Sequence, residues 1–393
     1  MSRPARGWRR AAWREMRRIR NSSQAILLTI ILPSFAAVLL AAIFGSSVPR
    51  RLPVVIVDQD HSSLSRQATR MLDSTPGLSV NFQEVDPSQG IRRVARGDAY
   101  ALVVFPNHLY RDVVEGRSPS VGVYVNGQML LPASLVSRDI RTALGTLSAG
   151  AKIQVRRKMG ESKRQAMAGY DPVGLESHPL FIPELDYRRF LVPVLVTAVL
   201  QIFAMFAAVR SMGREIKLKS AGRWYRLSGS RVGPALFGKL LPYAVLHCLL
   251  SLAFILIWHG ILGNPLIGSL LLEWAAMSLM GMAAEAVAVF MVGWTSDYRL
   301  ALSMASFFGG PAMAFAGVSF PTAAMNGPAV GLAAFLPLTH AIQVMVDQGI
   351  RGSSLRADVV PFLALAGLAV FFVGSTWRRW GRVFVNRAEW GQS

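Results

Sequence analysis

The chain has 393 residues and a formal net charge of +20, but only 16% of its residues are charged and 52% are hydrophobic. Its charged fraction is below the roughly 25% of soluble proteins. Its mean hydropathy of +0.37 is positive, and disordered chains are far less apolar. This composition excludes disorder, and one cysteine, Cys248, excludes an intrachain disulfide scaffold. It predicts a membrane protein whose basic residues set orientation, with lipid and not nucleic acid as its surroundings.

The first 23 residues predict a cytoplasmic amphipathic helix. Within 6–22, Trp13, Met16 and Arg17 recur at helical spacing among seven arginines, a pattern typical of a helix on an anionic inner leaflet. The helix is either an anchor alone or part of a docking collar for a cytoplasmic partner. The apolar run that follows, 24–44, exceeds the roughly 7–15 residues of a secretory signal, so we expect an uncleaved anchor.

Segment 45–189 predicts a folded α/β domain. Short apolar, β-branched runs alternate with helical segments and are followed by one long helix. The predicted strands are 52–60, 78–85, 99–106 and 119–128, and the predicted helices are 62–76, one opened by Asp86, 107–115 and 131–168. Asp58 and Asp60 stand at a strand end where open sheets often bind ligands, but helix capping explains them as well and is the favoured interpretation.

Apolar stretches long enough to cross a bilayer predict six transmembrane helices. A span of roughly 30 Å of hydrocarbon needs about 20 mostly apolar residues. Five stretches meet this requirement: 24–44, 190–209, 239–259, 267–292 and 359–377. A sixth, 300–319, is broken at 309–311 by two glycines and a proline, which neighbouring helices can compensate in lipid. The predicted fold is therefore an α-helical polytopic membrane protein with an inserted α/β extracytoplasmic domain.

The distribution of charge sets the orientation. The N-terminus, the 210–239 loop, the 293–299 turn and the tail hold 21 basic and 4 acidic residues, whereas 45–189 holds 19 basic and 14 acidic residues. By the positive-inside rule both termini, including the 378–393 tail, are cytoplasmic and 45–189 lies outside.

Motifs for chemistry are absent or incomplete. Gly233 to Lys239 fits seven positions of a phosphate-binding loop, but Leu240 stands where a hydroxyl residue should hold magnesium. We interpret it as a glycine-relieved helix start with a snorkelling lysine. The six histidines show no zinc-binding spacing. The sequence predicts no catalytic residue, no metal site and no cofactor bound by this chain.

Two glutamates lie within the fourth predicted span, where a carboxylate is costly and normally faces a bundle interior or a water-filled path. Glu273 and Glu285 are separated by about 120° around the helix and roughly 18 Å along it, so they do not share one stripe. Both are candidates for an intramembrane polar pathway. For Glu273 we favour an interfacial position, and for Glu285 a proton-linked role and a structural hydrogen bond remain equal alternatives.

Three segments carry a resemblance to a known family: LPVVIVDQDHSSLSRQATRMLDSTP (52–76), its continuation at 96–128, and 315–352. They resemble segments of an ABC-2 type transport permease of the subgroup with a large extracytoplasmic domain between its first two spans, as in bacterial drug exporters. In that family 315–352 corresponds to the outer segment between spans five and six, which implies a re-entrant segment at about 320–352 within 239–377. The resemblance covers nearly the whole chain.

The resemblance also implies partners in a bacterial inner membrane. The 210–238 segment corresponds to a loop that couples to a separate cytoplasmic ATPase, which would bind the ATP and Mg. Arg214 and Glu215 match its usual start, and Gly238 and Lys239 match its end. The candidate coupling residues are Arg214, Glu215, Arg223, Trp224 and Tyr225, although 218–224 departs from the family pattern. A second permease copy or paralogue and a periplasmic adaptor are further expected partners.

Two functions are compatible with this organisation. The favoured one is a permease that dimerises and moves substrate outward when ATP is hydrolysed by its partner. The alternative is a membrane receptor or scaffold whose outer domain binds a ligand. An anchor needs only one or two spans, and no inner segment exceeds about 30 residues, so a signalling domain is not evident.

Overall fold

The computed structural model describes residues 7–45, 50–128, 130–158, 160, 187–318, 320–386, 388 and 390. The chain divides into two units: Val48–Pro179 is one, and the segments before and after it form the other. Residues 161–186, including the end of the predicted 131–168 helix, lie outside the described residues.

Two helices open the chain. Helix α1 (Gly7–Arg20) buries Ala11, Glu15 and Ile19, which follow one another at four-residue spacing, while Trp13 is 68% exposed. A helix is therefore present where the amphipathic pattern of 6–22 predicts one, and its position on a cytoplasmic leaflet stays a prediction. Helix α2 (Ser23–Ile43) matches the predicted first span. It begins after Ser22, whose hydroxyl accepts a hydrogen bond from the Ala25 amide at 3.3 Å and so caps the helix.

The unit Val48–Pro179 contains a four-stranded sheet in the order β2-β1-β3-β4. Strand β1 pairs in parallel with β2 and β3, and β4 is antiparallel to β3. In chain order the elements are β1 (Leu52–Asp58), α3 (Ser63–Ser74), β2 (Leu78–Glu84), α4 (Pro87–Arg96), β3 (Ala101–Phe105), α5 (Leu109–Val114), β4 (Gly122–Val125) and α6 (Leu130–Lys158). Each predicted strand overlaps an observed one.

Both faces of strand β1 are covered by helices, which explains its continuous apolar run. Val54 and Ile56 pack with residues of α3 and α6, whereas Val55 and Val57 pack on the other side near Val94 of α4. The polar residues at the strand end serve as caps. Ser62 Oγ accepts from two amides of α3, both at 3.1 Å.

Two aspartates in this unit accept hydrogen bonds from neighbouring residues. Asp58 accepts from the Asp60 amide at 3.0 Å and from Ser65 Oγ at 2.7 Å and so closes a turn, while Ser62 is the helix cap. At the start of α4, hydrogen bonds from the Ser88 amide and hydroxyl lower the pKa of Asp86 below its ordinary value.

Eight α-helices lie in the described residues after 186. They are α7 (Tyr187–Lys217), α8 (Ala221–Leu227), α9 (Val232–Ile261), α10 (Leu270–Thr295), α11 (Tyr298–Phe315), α12 (Gly327–Ala334), α13 (Pro337–Arg351) and α14 (Leu355–Val385). Helices α2, α7, α9, α10 and α14 are long and apolar enough to cross a membrane. The chain bends by 85° between α12 and α13. If this bent pair is counted as one span, the described helices allow up to six spans.

The sixth span predicted over 300–319 stays a prediction. Helix α11 occupies that stretch and contains Pro311, but it is not among the five helices that meet the length and hydropathy requirements. The bend between α12 and α13 lies within the segment predicted to be re-entrant.

Parts of the predicted loop at 210–238 and of the predicted tail at 378–393 are helical, while their membrane boundaries stay predictions. Helix α7 continues to Lys217, α9 already begins at Val232, and α14 continues to Val385. Hydropathy marks where a helix meets lipid, whereas these helices extend further because their ends pack on one another. Met212, Ile216 and Val383 are buried in that shared core.

Helix α10 lies at the centre of the bundle and is rich in small residues, which allow other helices to approach closely. A Cβ at Gly281 would lie 2.1 Å from His247 of α9, and a Cβ at Gly293 would lie 2.7 Å from the indole nitrogen of Trp380 of α14. These two glycines therefore fix the approach of α9 and α14 to α10.

Candidate functional site

One end of the helix bundle carries α1, residues 210–239 and residues 378–386, and we call it the basic end. Its centre is Lys239, on the second turn of α9. The Nζ atom lies 2.6 Å from Glu15 Oε2 of α1 and 2.8 Å from Glu215 Oε1 of α7. A single ammonium group thus joins three helices.

The prediction that Lys239 snorkels to solvent is wrong, because the residue is only 1% exposed. Gly238 explains why. A Cβ at this position would lie 2.4 Å from the carbonyl oxygen of Trp8, so the absence of a side chain lets the backbone of α1 lie across α9. Once α1 covers the lysine, its charge requires buried counter-charges.

The two carboxylates have further hydrogen-bond donors. Tyr243 Oη and Ser211 Oγ each donate to Glu15 Oε1 at 2.9 Å. The partners of Glu215, besides Lys239, are Arg14, Arg18 and Ser220. Buried ion pairs are tolerated when the remaining lone pairs are satisfied in this way. We call Glu15, Glu215, Lys239, Arg14 and Arg18 the ionic cluster.

Trp224 fixes the short helix α8 to the same end. It is fully buried, and its indole N–H donates to the Ala235 carbonyl at 3.0 Å. Its ring meets the rings of Trp380 and Phe384 edge-on at 5.7 Å and 4.8 Å between centroids. Lys239 Nζ lies 5.2 Å from the Trp224 ring centroid, so the aromatic contacts and the ionic cluster are continuous.

The five predicted coupling residues fall into two groups. Glu215 and Trp224 are buried and present almost no surface to a partner. Arg214 and Arg223 are exposed, and half-buried Tyr225 stacks on Phe384 at 4.7 Å between ring centroids. Two of the five therefore shape the basic end, and three reach its surface.

Sequence reasoning assigned no role to Glu15, Trp380 and Phe384. A signal for the glutamate was present, because Glu15 is the only acid among eight arginines in the first 23 residues, and Glu215 is likewise alone among eight basic residues in 210–239. An isolated acid in a strongly basic segment is a sign of a specific pairing. No comparable signal marks the two aromatic residues.

Glu273 lies in the first turn of α10, at the end away from the basic end, and the interfacial position that we favoured for it stays a prediction. It is 3% exposed, and its Oε2 lies 3.0 Å from His259 Nε2. Gly349 of α13 allows a close approach, since a Cβ there would lie 2.6 Å from Glu273 Oε1. The residue therefore links α9, α10 and α13.

Glu285 is also 3% exposed, but its Oε1 has no hydrogen-bond partner in the part of the chain that the structure describes. The amide of Gln201 and the hydroxyl of Ser278 are likewise buried without a partner there. The structure thus does not pair Glu285 with Glu273, and a polar pathway through both remains a prediction.

The variants Glu285→Gln and Glu273→Gln should differ in stability. Because Glu285 makes no ion pair with any described residue, replacing it by glutamine should change the free energy of unfolding by less than about 1 kcal/mol. Glu273→Gln weakens the contact with His259 and should cost about 1–3 kcal/mol. Thermal unfolding in detergent compares the two. A larger loss for Glu285→Gln would contradict the assignment and indicate a stabilising partner.

Comparison with known proteins covers most of the chain. A family model described as "ABC-2 family transporter protein" matches residues 24–378. The "Probable multidrug ABC transporter permease YbhS" of Escherichia coli (strain K12) is 22% identical over 389 residues, covering 96% of this chain and 98% of its own length. The protein of the same description from Escherichia coli O157:H7 matches with the same identity and coverage.

Proposed function

Because the chain belongs to the ABC-2 transporter family, we propose that it is the membrane-spanning subunit of an exporter whose energy comes from a separate ATPase. Family membership and the apolar helices make it a multi-pass transporter permease. ATP and Mg bind to the partner in this proposal, and the chain contributes the pathway and the surface that receives the partner's movement.

The fixed position of α8 is the observation that carries the coupling proposal. A segment that transmits movement must be attached to the membrane helices and must also present a surface to the partner. Trp224 provides the attachment to α9 and α14, whereas the adjacent Arg223 is exposed. The ionic cluster attaches α1 and α7 to the same place.

We further propose that the basic end lies in the cytoplasm of a bacterial cell and that 45–189 lies outside. The excess of arginine and lysine at this end supports the orientation by the positive-inside rule. A second permease copy or a paralogue would complete the pathway, and the outer segment would be free to contact an adaptor. The relatives described as multidrug permeases favour a small hydrophobic or amphipathic substrate.

Charge reversal at Arg223 tests the coupling proposal. Arg223→Glu should lower permease-stimulated ATP hydrolysis at least about tenfold. The glutamate would face the acidic partner group that the arginine attracts, and two like charges at an interface cost several kcal/mol. The measurement uses the full chain co-purified in nanodiscs with the ABC ATPase subunits of the same genome, each in turn. Arg299→Glu is the matched control, because Arg299 is exposed at the start of α11 and lies outside α8.

The control should change the rate less than about twofold. Equal stimulation by wild type and Arg223→Glu would refute coupling through α8. A chain that stimulates none of the ATPases but still responds to a ligand of its outer segment would instead support the receptor alternative.

A further inference from the structure

A cavity of about 200 Å³ opens at the basic end, beside the ionic cluster. It lies where α1 meets the start of α2 and the last turns of α7. Its charged lining residues are Arg18, Arg210, Arg214 and Glu15. The volume is below the roughly 300–1,000 Å³ of sites for drug-sized molecules, so it suits a small group better than a transported drug.

The cavity favours an anion, because its one acid is already neutralised. Glu15 is held by Lys239 at 2.6 Å and accepts from two hydroxyl groups at 2.9 Å. Arg18 is bound to Glu215 and still faces the cavity. The positive charge that remains comes from Arg210 and Arg214.

These two arginines lack acidic partners in the described part of the chain. Arg210 donates only to the neutral oxygens of Ser22 and Gln24, each at 3.2 Å. The guanidinium of Arg214 makes no hydrogen bond or ion pair with a described residue. They are four residues apart, which places them on the same face of α7. A planar guanidinium is well matched to the oxygens of a phosphate.

The position of the cavity indicates where such a phosphate would come from. Ser22 and Ala25 at the start of the membrane helix α2 line it, as does Leu218 just beyond the end of α7. The exposed apolar residues Leu27 and Ile31 begin one turn further along α2. The cavity therefore lies beside the end of a helix long and apolar enough to cross a membrane, with exposed apolar surface next to it.

We propose that this cavity binds the phosphate of an anionic phospholipid, with Arg210 and Arg214 as its ligands and α2 in contact with the acyl chains. The bound lipid would connect α1 to the end of α7. The proposal requires only that the basic end lies at a membrane surface, and it is independent of coupling to an ATPase.

Lipid retention by the full-length protein tests the proposal. The protein is reconstituted in a mixture of phosphatidylglycerol and phosphatidylcholine, and the lipids retained after extraction into detergent are counted by native mass spectrometry. Wild type should retain phosphatidylglycerol selectively. Arg210→Gln/Arg214→Gln should lower this selectivity at least about tenfold, because each basic residue near the surface contributes to the attraction of anionic lipid.

The matched control is Arg17→Gln/Arg20→Gln, which removes two exposed arginines of α1 that do not line the cavity. It should change the selectivity less than about threefold, because exposed charges are screened. An equal loss in both double variants would overturn the proposal in favour of general electrostatics. Unchanged retention in Arg210→Gln/Arg214→Gln would overturn it directly.

A second variant guards against misfolding. Leu218→Glu places a negative charge on the lining at a residue that is 56% exposed, so it removes little packing and should still reduce retention. Inorganic phosphate distinguishes the two sources of the anion. If a large excess of inorganic phosphate fails to displace the lipid, the result supports a lipid site. If inorganic phosphate displaces the lipid when both anions are at equal concentration, the lipid is overturned as the occupant.

Discussion

Replacing Lys239 by methionine should lower the free energy of unfolding by about 3–5 kcal/mol, the usual cost of removing one partner from a buried ion pair. The ammonium group is the only described cation within 3 Å of both Glu15 and Glu215, at 2.6 Å and 2.8 Å respectively. Methionine fills a similar volume, so the loss would report charge and not a cavity. Denaturation of the purified protein in detergent measures the effect.

Two further variants separate the ionic contribution from a general loss of charge. Lys219→Met removes an exposed lysine from the same segment and should change stability by less than about 0.5 kcal/mol. Adding Glu15→Gln to Lys239→Met removes one buried carboxylate and should recover part of the loss. A Lys239→Met protein as stable as wild type would refute the central position of the lysine.

Truncating Trp224 to alanine should cost about 3–5 kcal/mol and release α8 from the bundle. The side chain is fully buried against Trp380 and Phe384, and its removal also leaves the Ala235 carbonyl without the indole donor. Hydrogen exchange of Ala221–Leu227 should accelerate more than that of α10. ATPase stimulation should fall as well, although Arg223 itself is unchanged.

Trp13→Ala is the matched control, because this tryptophan is 68% exposed on α1. Its effect on stability in detergent should be below about 0.5 kcal/mol. If Trp224→Ala neither accelerated hydrogen exchange of α8 nor lowered ATPase stimulation relative to this control, α8 would be held by other contacts. If stability fell while α8 kept its protection, the loss would arise in α14.

Hydropathy and the alternation of apolar with polar residues predicted the helices and strands well, because both patterns report burial along one segment. The apolar run at 52–60 contains β1, and the apolar stretch at 24–44 corresponds to α2. Helices α7 and α9 extend into the segment predicted as a loop, because contacts between the helices continue there.

The candidate site was harder to predict for a related reason. Of the candidate coupling residues, Arg223 lies exposed on the short helix α8, whereas Glu215 and Trp224 are internal. Lys239 is joined to Glu15 across 224 positions of sequence, and a pattern within one segment contains no information about such a partner. Only the isolation of Glu15 among arginines suggested that it has one.

This separation in sequence sets an order for biosynthesis. Helix α1 leaves the ribosome before α7 and α9, so its buried Glu15 cannot meet Lys239 until the chain has been extended through α7 and into α9. Closure of the ionic cluster therefore requires that α2, α7 and α9 have all been synthesised, and this end of the bundle cannot form from the N-terminal part of the chain alone.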